Sequence, residues 1–147
     1  AKWPAETLAA LKIRERITTL VETRIDLLAP NRETLRRALA LLALPTNVPF
    51  AARLGWRAAD LMWRLAGDTA TDYNHYSKRA ILGSVYGATM AVFLNDESAG
   101  HADTRAFLSR RIDQVMRFEG WKHRRAASKI ERPSLARFVV RLRYPGR

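Results

Sequence analysis

Cysteine is missing from all 147 residues, which removes disulfides, thiolate metal sites and cysteine nucleophiles. Long apolar runs are missing too. The stretch 38–45 is among the longest, far short of the roughly 20 residues a membrane-spanning helix needs. There is no Gly-rich phosphate loop, no Gly-x-Ser-x-Gly elbow, no internal repeat and no strand-length alternation. No charged-then-apolar leader is visible, and the chain opens on Ala1, as expected of a chain that starts part-way into something longer. Acidic residues are scarce, with 14 Asp and Glu against 26 Lys and Arg, a net charge of +12 and a pI near 11.1. Such an excess favours an anionic partner, either nucleic acid or a lipid surface. It concentrates at the C-terminus, where ten basic residues from Arg117 onward face only Glu119 and Glu131.

What is present is helical periodicity. Leu8, Leu11, Ile17, Leu20, Val21, Ile25 and Leu28 predict one helix of about seven turns between Pro4 and Pro30. Asn31 is placed to cap a second helix with Leu35, Leu39 and Leu42 on one face. Thr46 or Asn47 caps a third, which ends at Gly67 as the residue beyond its C-terminus. A fourth helix runs to about Asn95, NDESAGH makes a turn, and a fifth covers Asp103 to Lys122. Residues 124–131 read as a basic linker, and Pro133 opens a short final helix, SLARFVVRLRYP. The fold class is therefore all-α, a helical bundle over 1–123 followed by the linker and amphipathic helix of 124–147.

The most polar and aromatic stretch is GDTATDYNHYSKRA, from Gly67 to Ala80. Asp72 and His75 have the i, i+3 spacing of the carboxylate–histidine units of di-iron bundles. Those sites need two such units and two further carboxylates, which His101 and His123, with Glu97 and Glu119 four residues before them, do not supply. Neither a metal nor a catalytic site is expected, and the chain reads as no enzyme. Thr69 and Asp72 instead fit a capping box, with Asp68 at the positive end of the same helix. Asp72, His75, Tyr76 and Arg79 then form a polar-aromatic face, rich in the residue types that dominate binding hot spots.

Two further features bear on lipid. Ala80, Gly83, Ser84, Gly87, Ala88 and Ala91 make a small-residue band in the fourth helix. Interior helical glycine costs roughly 1 kcal/mol relative to alanine, so the band implies close helix packing or an apolar ligand cavity. The candidate cavity residues are Trp56, Leu61, Met62 and Leu65 of the third helix with Ile81, Val85, Met90 and Phe93 of the fourth. In the final helix Leu135, Phe138 and Leu142 alternate with Arg141 and its neighbours. That pattern suits either a membrane interface or docking on the chain's own domain.

The run LAGDTATDYNHYSKRAILGSVYGAT, followed by FLNDES and DTRAFLSRRIDQVM, resembles the lipid-binding accessory protein family of ubiquinone (coenzyme Q) biosynthesis, the ninth Coq protein. The resemblance covers most of residues 5–118. It implies a fold like the ligand-binding and dimerisation domain of TetR-type regulators, homodimeric through its last two long helices, with the N-terminal helix-turn-helix unit absent here. It implies no cofactor, but a bound lipid or isoprenoid quinone intermediate. The implied partner is the demethoxyubiquinone hydroxylase, docked through a Trp-Tyr pair that here is His75-Tyr76. The implied location is the inner membrane surface, cytoplasmic in a bacterium or facing the matrix in a mitochondrion. A regulator-derived ligand domain or nucleic-acid-binding module is the alternative.

Overall fold

The computed structural model describes residues 5–68 and 73–130, which form six α-helices and no strand: α1 (Ala5–Ala10), α2 (Ile13–Leu28), α3 (Arg32–Leu42), α4 (Val48–Leu65), α5 (Tyr73–Asn95) and α6 (Ala102–Ile130). The all-α expectation holds. The chain divides into two compact units, Ala1–Asp113 and Gln114–Arg147, and every feature developed below lies in the first. Asp72 and the final helix, with Leu135, Phe138, Arg141 and Leu142, lie outside the described residues.

The core follows from periodicity. Ile17, Val21 and Ile25 of α2 recur every four residues and are buried. Against them and one another pack Ala58, Ala59 and Met62 of α4, Leu82, Val85, Met90 and Phe93 of α5, and Leu108 and Ile112 of α6. α4 and α5 form the most extensive helix pair. At their crossing small residues meet: a Cβ added to Gly83 would lie 3.7 Å from the Gly55 carbonyl oxygen and 3.9 Å from Ala59 Cβ.

Arginines close helix ends across the bundle. The single long first helix expected from periodicity is broken at Leu11 and Lys12, where Lys12 turns extended (φ −66°, ψ 153°) and donates its N–H to Glu15 Oε2. Arg16 explains the break. Its guanidinium donates to the carbonyls of Ala9 and Leu11 at the end of α1 and to Ala66 at the end of α4, satisfying C-terminal acceptors that a continuous helix would otherwise use internally. Arg32 donates twice to the Leu94 carbonyl at the end of α5, and Arg36 adds a bond to Asn95 Oδ1. The start of α6 is held by Asp96. Its buried carboxylate accepts from the hydroxyl and N–H of Ser98 and of Thr104, which hold its pKa well below the usual carboxylate range. α6 itself continues to Ile130, through the stretch 124–130 read from sequence as a linker. The Arg, Lys and Ala there are good helix formers even without an apolar stripe.

Candidate functional site

The geometry begins at the turn between α4 and α5. Gly67 adopts φ +88°, a left-handed conformation that L side chains rarely take. It lets the Gly67 N–H bond the Arg64 carbonyl and the Asp68 N–H bond the Trp63 carbonyl, the paired closure that ends many helices. Asp68 is thereby aimed back at α5. Lys78 Nζ lies 2.9 Å from one of its oxygens and Arg79 Nη1 3.2 Å from the other.

Arg79 is the main correction to the expected docking face. The sequence pattern places it beside Asp72, His75 and Tyr76 on an outward surface, yet it is 2% exposed. Its Nε donates to Asp60 at 2.6 Å, and its Nη1 donates both to Asp68 and to the His75 carbonyl. This hydrogen bond holds the Asp60 pKa below its ordinary value. Asp60 lies on α4, so the residue facing Arg79 is invisible to any reading of α5 alone. Arg79 is an internal strut between the two helices and the turn, and it tests folding rather than docking.

Tyr76 does face outward, 61% exposed. Its ring stacks on Trp56 of α4, centroids 6.0 Å apart and 29° between planes, and meets His75 edge-on at 5.1 Å. The two aromatic residues expected to serve a partner are together, and Trp56 links them to a concavity of the fold.

That concavity is a groove of about 610 Å³ between α2, α3, α4 and α5, within the roughly 300–1,000 Å³ usual for small-molecule sites. Its floor is the small-residue band, Ala80, Gly83, Ser84 and Gly87. Around Gly87 no atom lies within 4 Å of an added Cβ. The band thus does both things its composition allows: Gly83 admits the close crossing with α4, and Gly87, one turn on, leaves open space. Of the eight candidate cavity residues, Trp56 and Met90 line the groove. Met62, Val85 and Phe93 are core residues that do not line it, nor does the half-buried Ile81. Leu61 and Leu65 do not line the groove and are 49% and 56% exposed. They share one face of α4 with exposed Phe50 and with Leu54, which also lines the groove, beside exposed Arg53, Arg57 and Arg64. The opposite wall, Leu35, Leu39 and Leu42 of α3, was legible as an apolar face but not as a groove lining. Arg24 of α2 and Tyr86 of α5 complete the site without any signal in the sequence to place them there.

Among the described residues no group of three or more His, Asp or Glu is arranged to hold a metal ion. His101, one candidate for such a role, packs edge-on against Phe93 at 5.0 Å.

A protein-family profile described as COQ9 matches residues 48–119. The rat "Ubiquinone biosynthesis protein COQ9, mitochondrial" is 43% identical over 96 residues, which are 65% of this chain and 31% of the rat protein. Its human counterpart is 42% identical over 96 residues, 65% and 30% of the two chains, and the Drosophila melanogaster protein 31% identical over 99, 67% and 30%. This chain belongs to the COQ9 family. It spans about 30% of the length of the curated relatives it matches. The COQ9 match contains all of α4 and α5, hence the Arg79 strut, the Trp56–Tyr76 stack and the groove floor. Arg24 and the α3 wall precede the residues matched by the COQ9 profile.

Proposed function

We propose that this chain is a non-catalytic accessory protein of ubiquinone biosynthesis that binds a lipid or isoprenoid in the groove and presents it to the demethoxyubiquinone hydroxylase at a membrane surface. The groove carries the proposal. It is an apolar trough with a glycine floor, of a size for one acyl or prenyl tail. The relatives' names supply the pathway. The exposed Phe50, Leu61 and Leu65 of α4, flanked by arginines, suit a peripheral membrane contact. The same reading makes the protein a homodimer, mitochondrial like its named relatives or, in a bacterium, cytoplasmic against the inner membrane. A nucleic-acid role is not favoured, since the matched relatives are named for ubiquinone biosynthesis.

The test is mass spectrometry of the purified protein under native conditions and after organic extraction. A co-purifying lipid, or uptake of added ubiquinone or phospholipid at one molecule per chain, is the expected result. A chain that takes up none of these refutes the groove reading.

Docking is tested separately. Tyr76→Ala removes a ring that is 61% exposed, so the thermal melt should stay close to wild type. Capture of the hydroxylase should weaken roughly tenfold or more, the size of a hot-spot truncation. Unchanged capture would remove Tyr76 from the interface.

A further inference from the structure

The groove is apolar along its length but not at the Arg24 side. Arg24 Nε donates to the Tyr86 hydroxyl at 2.7 Å, and the guanidinium lies over the Tyr86 ring, 5.4 Å from its centroid. Both residues line the groove and both are half-buried. Arg24 has no carboxylate partner among the described residues. The neighbouring acids on α2, Glu22 and Asp26, are taken by Arg105 at 3.1 and 2.7 Å. The other charged residue of the lining, Arg79, is neutralised by Asp60 and Asp68. Among the described residues the groove therefore carries one positive charge that no acid neutralises, held in orientation by the tyrosine.

We infer that the groove selects a single-tailed amphiphile with an anionic head, a carboxylate or a phosphate, whose head is held by Arg24 and whose tail lies over Gly87 and Met90. This rests on the groove being a lipid site and adds the class of head group. A partly desolvated guanidinium whose outer Nη1/Nη2 edge is not spent on the tyrosine binds a carboxylate or phosphate through charge-assisted, fork-shaped hydrogen bonds. A neutral head gains only an ordinary hydrogen bond there. Tyr86 positions the guanidinium by accepting from Nε, the nitrogen not needed for the outer edge of the fork.

The test compares three probes on the full chain, delipidated by organic extraction on a column and refolded to the native helical signal: oleate, farnesyl monophosphate and farnesol. Binding is read by native mass spectrometry and by titration calorimetry. The wild type should bind at least one of the two anions roughly tenfold or more tighter than farnesol, and which of them it prefers distinguishes a carboxylate from a phosphate head. Arg24→Met should abolish that preference while leaving farnesol within roughly threefold of wild type. Tyr86→Phe should keep the preference, since the guanidinium remains. Equal wild-type affinity for anions and farnesol overturns the inference while the groove reading stands. A preference that survives Arg24→Met overturns the assignment to Arg24. No binding of any probe to wild type overturns both the inference and the groove reading. If Arg24→Met fails to fold, Arg24→Gln replaces it, and the wild-type comparison decides the head-group class without any variant.

Discussion

Arg79→Ala should lower stability by about 3 kcal/mol, the low end of what breaking a buried ion pair costs. In a chain of this size that corresponds to a melting temperature lower by roughly 6–12 °C. The reason is what the substitution leaves behind. Asp68, whose side chain is 8% exposed, loses its Arg79 contact, and Asp60 loses the shorter of its two arginine contacts. The His75 carbonyl loses its side-chain donor as well. Urea denaturation of the single variant, with Asp68→Asn added in a second, separates the contributions. Neutralising the carboxylate that has lost Arg79 should restore part of the loss, giving a coupling well above the error of a double-mutant cycle. Acid adds a second reading. The hydrogen bond from Arg79, reinforced by the charge of Arg64 and of Arg79 itself, lowers the Asp60 pKa from 3.8 despite burial. A carboxylate lowered in the folded state contributes stability that is complete above its unfolded value and fades as pH falls through its folded value. Wild type should therefore lose stability below about pH 4 more steeply than Arg79→Ala. A variant within 1 kcal/mol of wild type, with the same acid profile, would mean that the strut contributes little.

The strut also shows where the sequence stopped being legible. One helix end set by local chemistry was readable, since Gly67 ends α4 where only a left-handed residue closes the turn, and the apolar period of α2 includes the buried Ile17, Val21 and Ile25. Asn31 and Asn47, expected as caps, make no side-chain cap bond. Features made by side chains reaching across the fold were not readable. Arg16 breaks the first predicted helix by bonding the Ala66 carbonyl 50 residues away. Arg79 looks like a surface residue on α5 until Asp60 of α4 is placed opposite it. The groove was half legible for the same reason. Its floor is one helix's composition, whereas its walls belong to α2 and α3, whose positions depend on packing. Leu61 and Leu65 have the apolar character of cavity residues, but the α4 residues that line the groove end at Ala58, which leaves both leucines exposed beyond it.

The two glycines of α5 give the sharpest separation of folding from function, because they sit one turn apart on one helix and do different things. Gly83→Leu and Gly87→Leu make the same chemical change at the same kind of backbone. At Gly83 the new side chain extends from a Cβ already 3.7 Å from the Gly55 carbonyl and 3.9 Å from Ala59 Cβ. Backbone cannot move aside as a flexible side chain can, so α4 and α5 must separate, at roughly 1–3 kcal/mol for an overpacked core. At Gly87 nothing lies within 4 Å, and leucine gains back up to about 1 kcal/mol of helix propensity. Its side chain instead enters the groove that Met90 and Leu39 also line. Gly87→Leu should melt at or above the wild-type temperature and, on the proposed function, bind lipid at least roughly tenfold more weakly, whereas Gly83→Leu should melt lower. Thermal melts and lipid retention measured on the same preparations check both halves. A Gly87→Leu protein that keeps its lipid places the binding site elsewhere, and one that unfolds shows that the groove closes in solution.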